Sequence, residues 1–75
     1  MTGKELDDAI LAAHAAGDPS RLCQLYTRAA QWQRERGAEE AAAFLTVQAY
    51  VFALEAGDPS ADALRARLAA AGREV

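Results

Sequence analysis

Cysteine and histidine each occur once, as Cys23 and His14. A single cysteine excludes a disulfide within the chain, and a single histidine leaves little from which to build a metal site. Isoleucine, valine and threonine are scarce, so strands have little to form from. No long uninterrupted apolar run occurs, and no membrane-spanning helix is expected. Basic residues are outnumbered, 8 against 11, for a net charge of −3. That balance counts against a nucleic-acid partner. The opening Met1-Thr2-Gly3-Lys4-Glu5 turns acidic at once and reads against a signal peptide. With the lone thiol, it implies a cytoplasmic setting. There is no glycine-rich phosphate loop, and no cofactor is expected.

What is abundant is alanine, followed by leucine, glutamate and arginine, all strong helix formers. The preference for arginine over lysine, with so much alanine, suggests a GC-rich bacterial genome. At 75 residues there is room for one domain, residues 1–75. A chain of this size buries only about 60% of its surface on folding, so it depends on efficient packing or on association.

One five-residue motif repeats. Ala16-Gly17-Asp18-Pro19-Ser20 recurs as Ala56-Gly57-Asp58-Pro59-Ser60, an offset of 40 residues (57 − 17). Glycine ends a helix in the left-handed conformation, aspartate caps the next helix, and proline suits its first turn. The motif is therefore helix punctuation. Gly37 adds a third break, after Arg34-Glu35-Arg36 and before Glu39-Glu40, charges that suit a helix end and a helix start. Four helices follow, over about Lys4–Ala16, Pro19–Arg36, Ala38–Ala56 and Pro59–Gly72. The turns between them are short, so neighbours should pack antiparallel. The expected fold is all-α: four antiparallel helices, as helical hairpins or a small bundle.

The 3.6-residue period assigns the faces. Leu6, Ala9, Ile10 and Ala13 form one stripe of the first helix. Leu22, Leu25, Tyr26 and Ala29 form that of the second, with Trp32 at its edge. Ala61, Leu64, Leu68, Ala71 and Val75 form that of the fourth. The third helix is apolar nearly all round, through Phe44, Leu45, Val47, Tyr50, Val51, Phe52 and Leu54. Its remaining side, Ala42, Thr46, Ala49 and Ala53, is small, and small side chains let another helix approach closely. An all-round apolar helix is expected to be the spine of the fold. With only three neighbours from its own chain, it leaves a face for a second copy.

No catalytic constellation is visible, and the chain is expected not to be an enzyme. Cys23 and His14 would have to meet in space to act as nucleophile and base; the plainer account is a core thiol and a helix-end imidazole. The pairs Asp7-Asp8 and Glu39-Glu40, with Asp58 and Asp62, are mostly explained by capping and the helix dipole. The more informative surface is the polar stripe of the second helix, Arg21, Gln24, Arg28, Gln31 and Glu35. Residues 19–36 hold four arginines against one glutamate, a net +3 on an acidic chain. Trp32, four residues after Arg28, is placed to stack on its guanidinium. Arg21, Gln24, Arg28, Gln31 and Trp32 are thus candidate contacts for an acidic protein or peptide. An ordinary solvated face is the competing account.

The central helix pair resembles a tetratricopeptide repeat. Leu25, Ala29 and Trp32 look like the large, small and aromatic positions of its first helix. Ala41 and Leu45 look like the small and large positions of its second, and Ala53-Leu54-Glu55 before Asp58-Pro59 is similar to its exit. The resemblance covers about half the chain, as a hairpin with lengthened helices. It implies protein–protein binding through the face of the first helix that carries Gln24, Arg28 and Gln31. The alternative function is a homodimeric bundle or an accessory subunit of a larger complex.

Overall fold

The computed structural model describes residues 1–72. It contains four α-helices: α1 (Gly3–Ala16), α2 (Pro19–Glu35), α3 (Glu39–Ala56) and α4 (Ser60–Ala70). Among the described residues there is no strand. The expected fold class is observed, with boundaries within a residue or two of those expected. The exception at the far end is Val75, which lies outside the described residues.

The breaks close as the glycines predict. Gly17 and Gly57 adopt φ of 63° and 65°. In each turn the following aspartate folds its N–H back onto the last helical turn: Asp18 N to Ala13 O at 3.1 Å, and Asp58 N to Ala53 O at 2.9 Å. This is the closure that satisfies the final carbonyls of a helix. The turn after α2 repeats it, with Ala38 N donating to Gln33 O at 2.9 Å.

The two copies of the motif nevertheless start their helices differently. Asp18 Oδ1 accepts from Arg21 N at 3.1 Å, three residues on, and Pro19 is the first residue of α2. Asp58 Oδ1 accepts from Ser60 N at 2.8 Å, two residues on. That shorter span is an Asx turn. It leaves Pro59 in the turn and begins α4 at Ser60, one residue later than the sequence predicts.

Cross-helix contacts show the directions. Gly3 lies against Trp32 while His14 meets Tyr26, so α1 and α2 are antiparallel. Tyr26 stacks on Phe52 while Arg34 reaches Thr46, so α2 and α3 are antiparallel as well. Among the described residues the helices pack as sequential neighbours, α1 on α2, α2 on α3 and α3 on α4, with α2–α3 by far the most extensive contact. The Cα trace spans 32 × 29 × 13 Å, a thin slab.

This arrangement corrects the expectation for α3. The helix packs chiefly on α2 and α4, meets α1 only at its edge where Phe52 faces His14, and the side it buries is the small one. Ala42, Thr46, Ala49 and Ala53 are buried, with Ala49 and Ala53 at 0% exposure. The large residues Phe44, Val51 and Leu54 face outward. Small side chains allow the α2 and α3 backbones to approach closely, and that contact sets the helix rotation. Ala41, one position out of phase, is exposed. The Thr46 hydroxyl is accommodated by donating to Ala42 O at 2.8 Å, four residues back, and by accepting from Arg34 Nη2 at 3.4 Å.

Two clusters form the core. Leu6 and Ala13 of α1 meet Leu22, Leu25 and Ala29 of α2, with Ile10, Tyr26, Leu45 and Phe52 at the edge. Cys23 meets Ala49, Ala53 and Leu64. Cys23 and Ala30 are buried outside the stripe read for α2, because α3 covers a second side of that helix. Ala71 is exposed just past the end of α4, rather than in its buried stripe.

Candidate functional site

The outward face of α2 carries Arg21, Gln24, Arg28, Gln31 and Glu35, all exposed. Burial of Leu22, Leu25 and Ala29 against α1 fixes this rotation, since residues three and four apart share a side. Beside that face, the start of α1 crosses over the end of α2. Together they enclose an open groove of about 490 Å³. Its floor on the α2 side is Gln24, Thr27, Arg28, Gln31, Trp32 and Glu35, and its α1 wall is formed by residues 1–3 and Leu6.

Four of the five residues singled out from the sequence, Gln24, Arg28, Gln31 and Trp32, line this groove. Arg21 does not. It lies toward the start of α2, where its Nη1 donates to Gln24 Oε1 at 3.5 Å.

Trp32 departs from the expected pairing. Arg36, not Arg28, lies over its ring, 4.9 Å from the centroid. Residues four apart on a helix are neighbours in both directions, and here the guanidinium toward the helix end takes the indole. Arg28 therefore keeps its donors: among the described residues it makes no hydrogen bond or ion pair. Trp32 is 43% exposed, with its other side against Gly3.

The α1 wall was not evident from hydrophobic periodicity. Its signal is the Thr2-Gly3-Lys4-Glu5 spacing of a capping box. Thr2 Oγ1 accepts from Glu5 N at 3.1 Å, and Thr2 N donates to Glu5 Oε1 at 3.3 Å. Those bonds to Thr2 hold the Glu5 carboxyl below its ordinary range. The box fixes the first turn of α1 above Trp32. On the other side of Trp32 a second groove of about 400 Å³ runs between α1 and α3. Its walls include Ile10, Tyr26, Ala29 and Leu45.

The arrangement offers one unengaged guanidinium, two carboxamides and an indole edge in a shallow groove. These groups suit recognition of carboxylate and peptide backbone. The other reactive residues lie apart from it. Cys23 is buried, with Sγ 3.5 Å from Ser60 Oγ. His14 Nε2 is 3.0 Å from Tyr26 Oη, so the structure gives thiol and imidazole different partners. Among the described residues, no group of three His, Cys, Asp or Glu side chains is arranged to hold a metal, and no helix is long and apolar enough to cross a membrane.

In comparisons with known proteins, the chain matches no family, no curated protein and no solved structure.

Proposed function

We propose that this chain is a small protein-interaction module, without chemistry of its own, that holds an acidic segment of another protein in the α1–α2 groove. The observation that carries the reading is Arg28. It is an exposed arginine with no partner among the described residues, set between Gln24 and Gln31 and beside Trp32. A guanidinium in that position is free to take a carboxylate with two parallel N–H bonds. The local charge supports an acidic occupant: α2 and Arg36 hold a net +3 while the chain as a whole is −3.

The order of packing supports a tetratricopeptide-like reading. Each helix packs chiefly on its sequence neighbours, as in repeat architectures, and Leu25 and Ala29 are buried in the first helix of the central pair. A cytoplasmic setting fits the buried, unpaired thiol of Cys23.

The test is capture of partners by immobilised wild-type protein and by Arg28→Glu, with bound proteins identified by mass spectrometry. Arg28 is exposed, so the variant should retain the helical circular dichroism of the wild type. Proteins captured by wild type through the groove should be lost from Arg28→Glu and weakened by Gln31→Ala. An identical set of partners on both would remove the groove from consideration.

A further inference from the structure

The outward side of α3 carries Phe44, Val47, Val51 and Leu54. Phe44 is 63% exposed, Val51 42% and Leu54 57%, and Val47 is half-buried. Their spacing is i, i+3, i+7, i+10, the apolar repeat of a helix seam that packs against another helix. The side of α3 that serves its own fold, Ala42, Thr46, Ala49 and Ala53, lies on the far side of the helix. The seam is therefore not a remnant of the intramolecular contact. Between Ala41 and Leu54 the helix has no charged residue; its charges, Glu39, Glu40 and Glu55, sit at the two ends.

We infer that this seam is a homodimer interface in which α3 packs antiparallel on α3 of a second copy, about a two-fold axis level with residue 49. That register sets Phe44 beside Leu54 of the second copy and Val47 beside its Val51. Every large residue of the seam then has a counterpart, the self-complementarity a two-fold contact requires. Charge selects the direction. A parallel pair would superpose Glu39, Glu40 and Glu55 on themselves. The antiparallel pair places Glu55 beside Ala43 of the second copy. It leaves one like-charge approach, Glu40 to Asp58, at the rim, where Asp58 is already engaged by the Ser60 N–H.

The distribution of side chains also favours a second copy as occupant. Among the described residues, half of the buried apolar ones are alanine, whereas Phe44, Val51 and Leu54 of α3 lie outside. A 75-residue chain with so small a core gains most from association. An α3 of 18 residues is about 27 Å long, which makes a narrow contact, smaller than the roughly 800 Å² per partner of a standard interface. The dimer is accordingly concentration-dependent. Because the seam faces away from α2, it leaves the Arg28 groove open, and the two sites are independent.

Sedimentation equilibrium from about 1 to 500 μM tests the inference on the intact chain. The mass should rise from that of one 8.0 kDa chain toward twice that value. Val51→Glu and, separately, Leu54→Lys should hold it at one chain with unchanged circular dichroism. For direction, Phe44→Cys and Leu54→Cys chains are mixed and oxidised. The mixed cross-link should form at least several-fold faster than either variant's self-cross-link. A single-chain mass throughout, association undiminished in both charged variants, or preferential self-cross-linking would each overturn the inference.

Discussion

The Trp32 indole rests against the backbone of Gly3: a Cβ added at Gly3 would lie 3.3 Å from Cη2 of the ring. With Arg36 over the same side chain, the ring is held between two elements that are distant in sequence. Gly3 thus provides the clearance that lets α1 close over the end of α2. Valine there should push the indole outward. Trp32 is the sole tryptophan, so its emission reports this directly. Gly3→Val should red-shift the emission, and Arg36→Ala should do so to a smaller extent. The stability change should stay within about 1 kcal/mol, because removing a helical glycine offsets part of the strain. Unchanged emission in Gly3→Val would show that the ring is not held there.

On α3 the buried alanines matter more to the fold than the large residues left exposed. Ala49 and Ala53 are fully buried with Cys23 of α2 and Leu64 of α4, neighbours that added methylenes would have to displace. Ala49→Leu or Ala53→Leu should destabilise by about 1–3 kcal/mol through overpacking. Phe44→Ala should cost the isolated chain no more than about 0.5 kcal/mol, as an exposed position does. Urea unfolding at the lowest workable concentration compares them, and the opposite order would refute the observed rotation of α3.

That rotation marks the limit of what the sequence discloses. Gly17, Gly37 and Gly57 could be read as breaks because only a left-handed residue closes such turns cheaply. The stripes of α1 and α2 could be read because each mixes polar and apolar residues. On α3 the small side, Ala42, Thr46, Ala49 and Ala53, could be read as a place of close helix approach, and it is the side buried. That Phe44, Val51 and Leu54 are left outside could not be read, because a helix apolar nearly all round gives no contrast between its large-residue sides. Arg28, Gln31 and Trp32 were legible as a shared face, but the groove was not. It needs the first turn of α1, contributed from some thirty residues away. The Arg36 stacking was equally hidden, since Arg28 and Arg36 are both four residues from Trp32.

Acid should loosen two helix starts. The Asp58 carboxyl is held below its ordinary value of 3.8 by the Ser60 N–H and hydroxyl, and the Glu5 carboxyl below 4.5 by Thr2. A carboxyl with a depressed folded-state pKa contributes its stability above the unfolded value. That contribution is lost as pH falls through the folded value. The cap of α1 and the Asx turn before α4 should therefore be intact above about pH 5 and weaken progressively from about pH 4.5 downward. Amide exchange or nuclear magnetic resonance shifts of Glu5 and Ser60 would follow this. Asp58→Asn should reduce the acid dependence at Ser60 while leaving that at Glu5 unchanged. If both sites keep their wild-type profiles in the variant, the Asp58 bond is not the source.

The far end of α1 is fastened by His14 and Tyr26. Nε2 and Oη are 3.0 Å apart, and the imidazole stands edge-on to both Tyr26 and Phe52, whose rings stack 5.7 Å apart. Because α1 packs chiefly on α2, with Phe52 its contact on α3, its last turn relies on these ring contacts together with Ala13. Tyr26→Phe keeps the stacked ring and removes only the hydroxyl, so it should cost about 0.5–1.5 kcal/mol. His14→Ala removes the bond and both edge contacts and should cost more, about 1–2 kcal/mol. The hydroxyl has no purpose without the imidazole, so the two losses should not add: a double-mutant cycle should return a coupling of about 0.5–1 kcal/mol. Hydrogen exchange should place the loosening in residues 10–16 of α1, leaving α3 protected. Strict additivity, or loosening spread equally through α3, would mean that His14 does not anchor the helix.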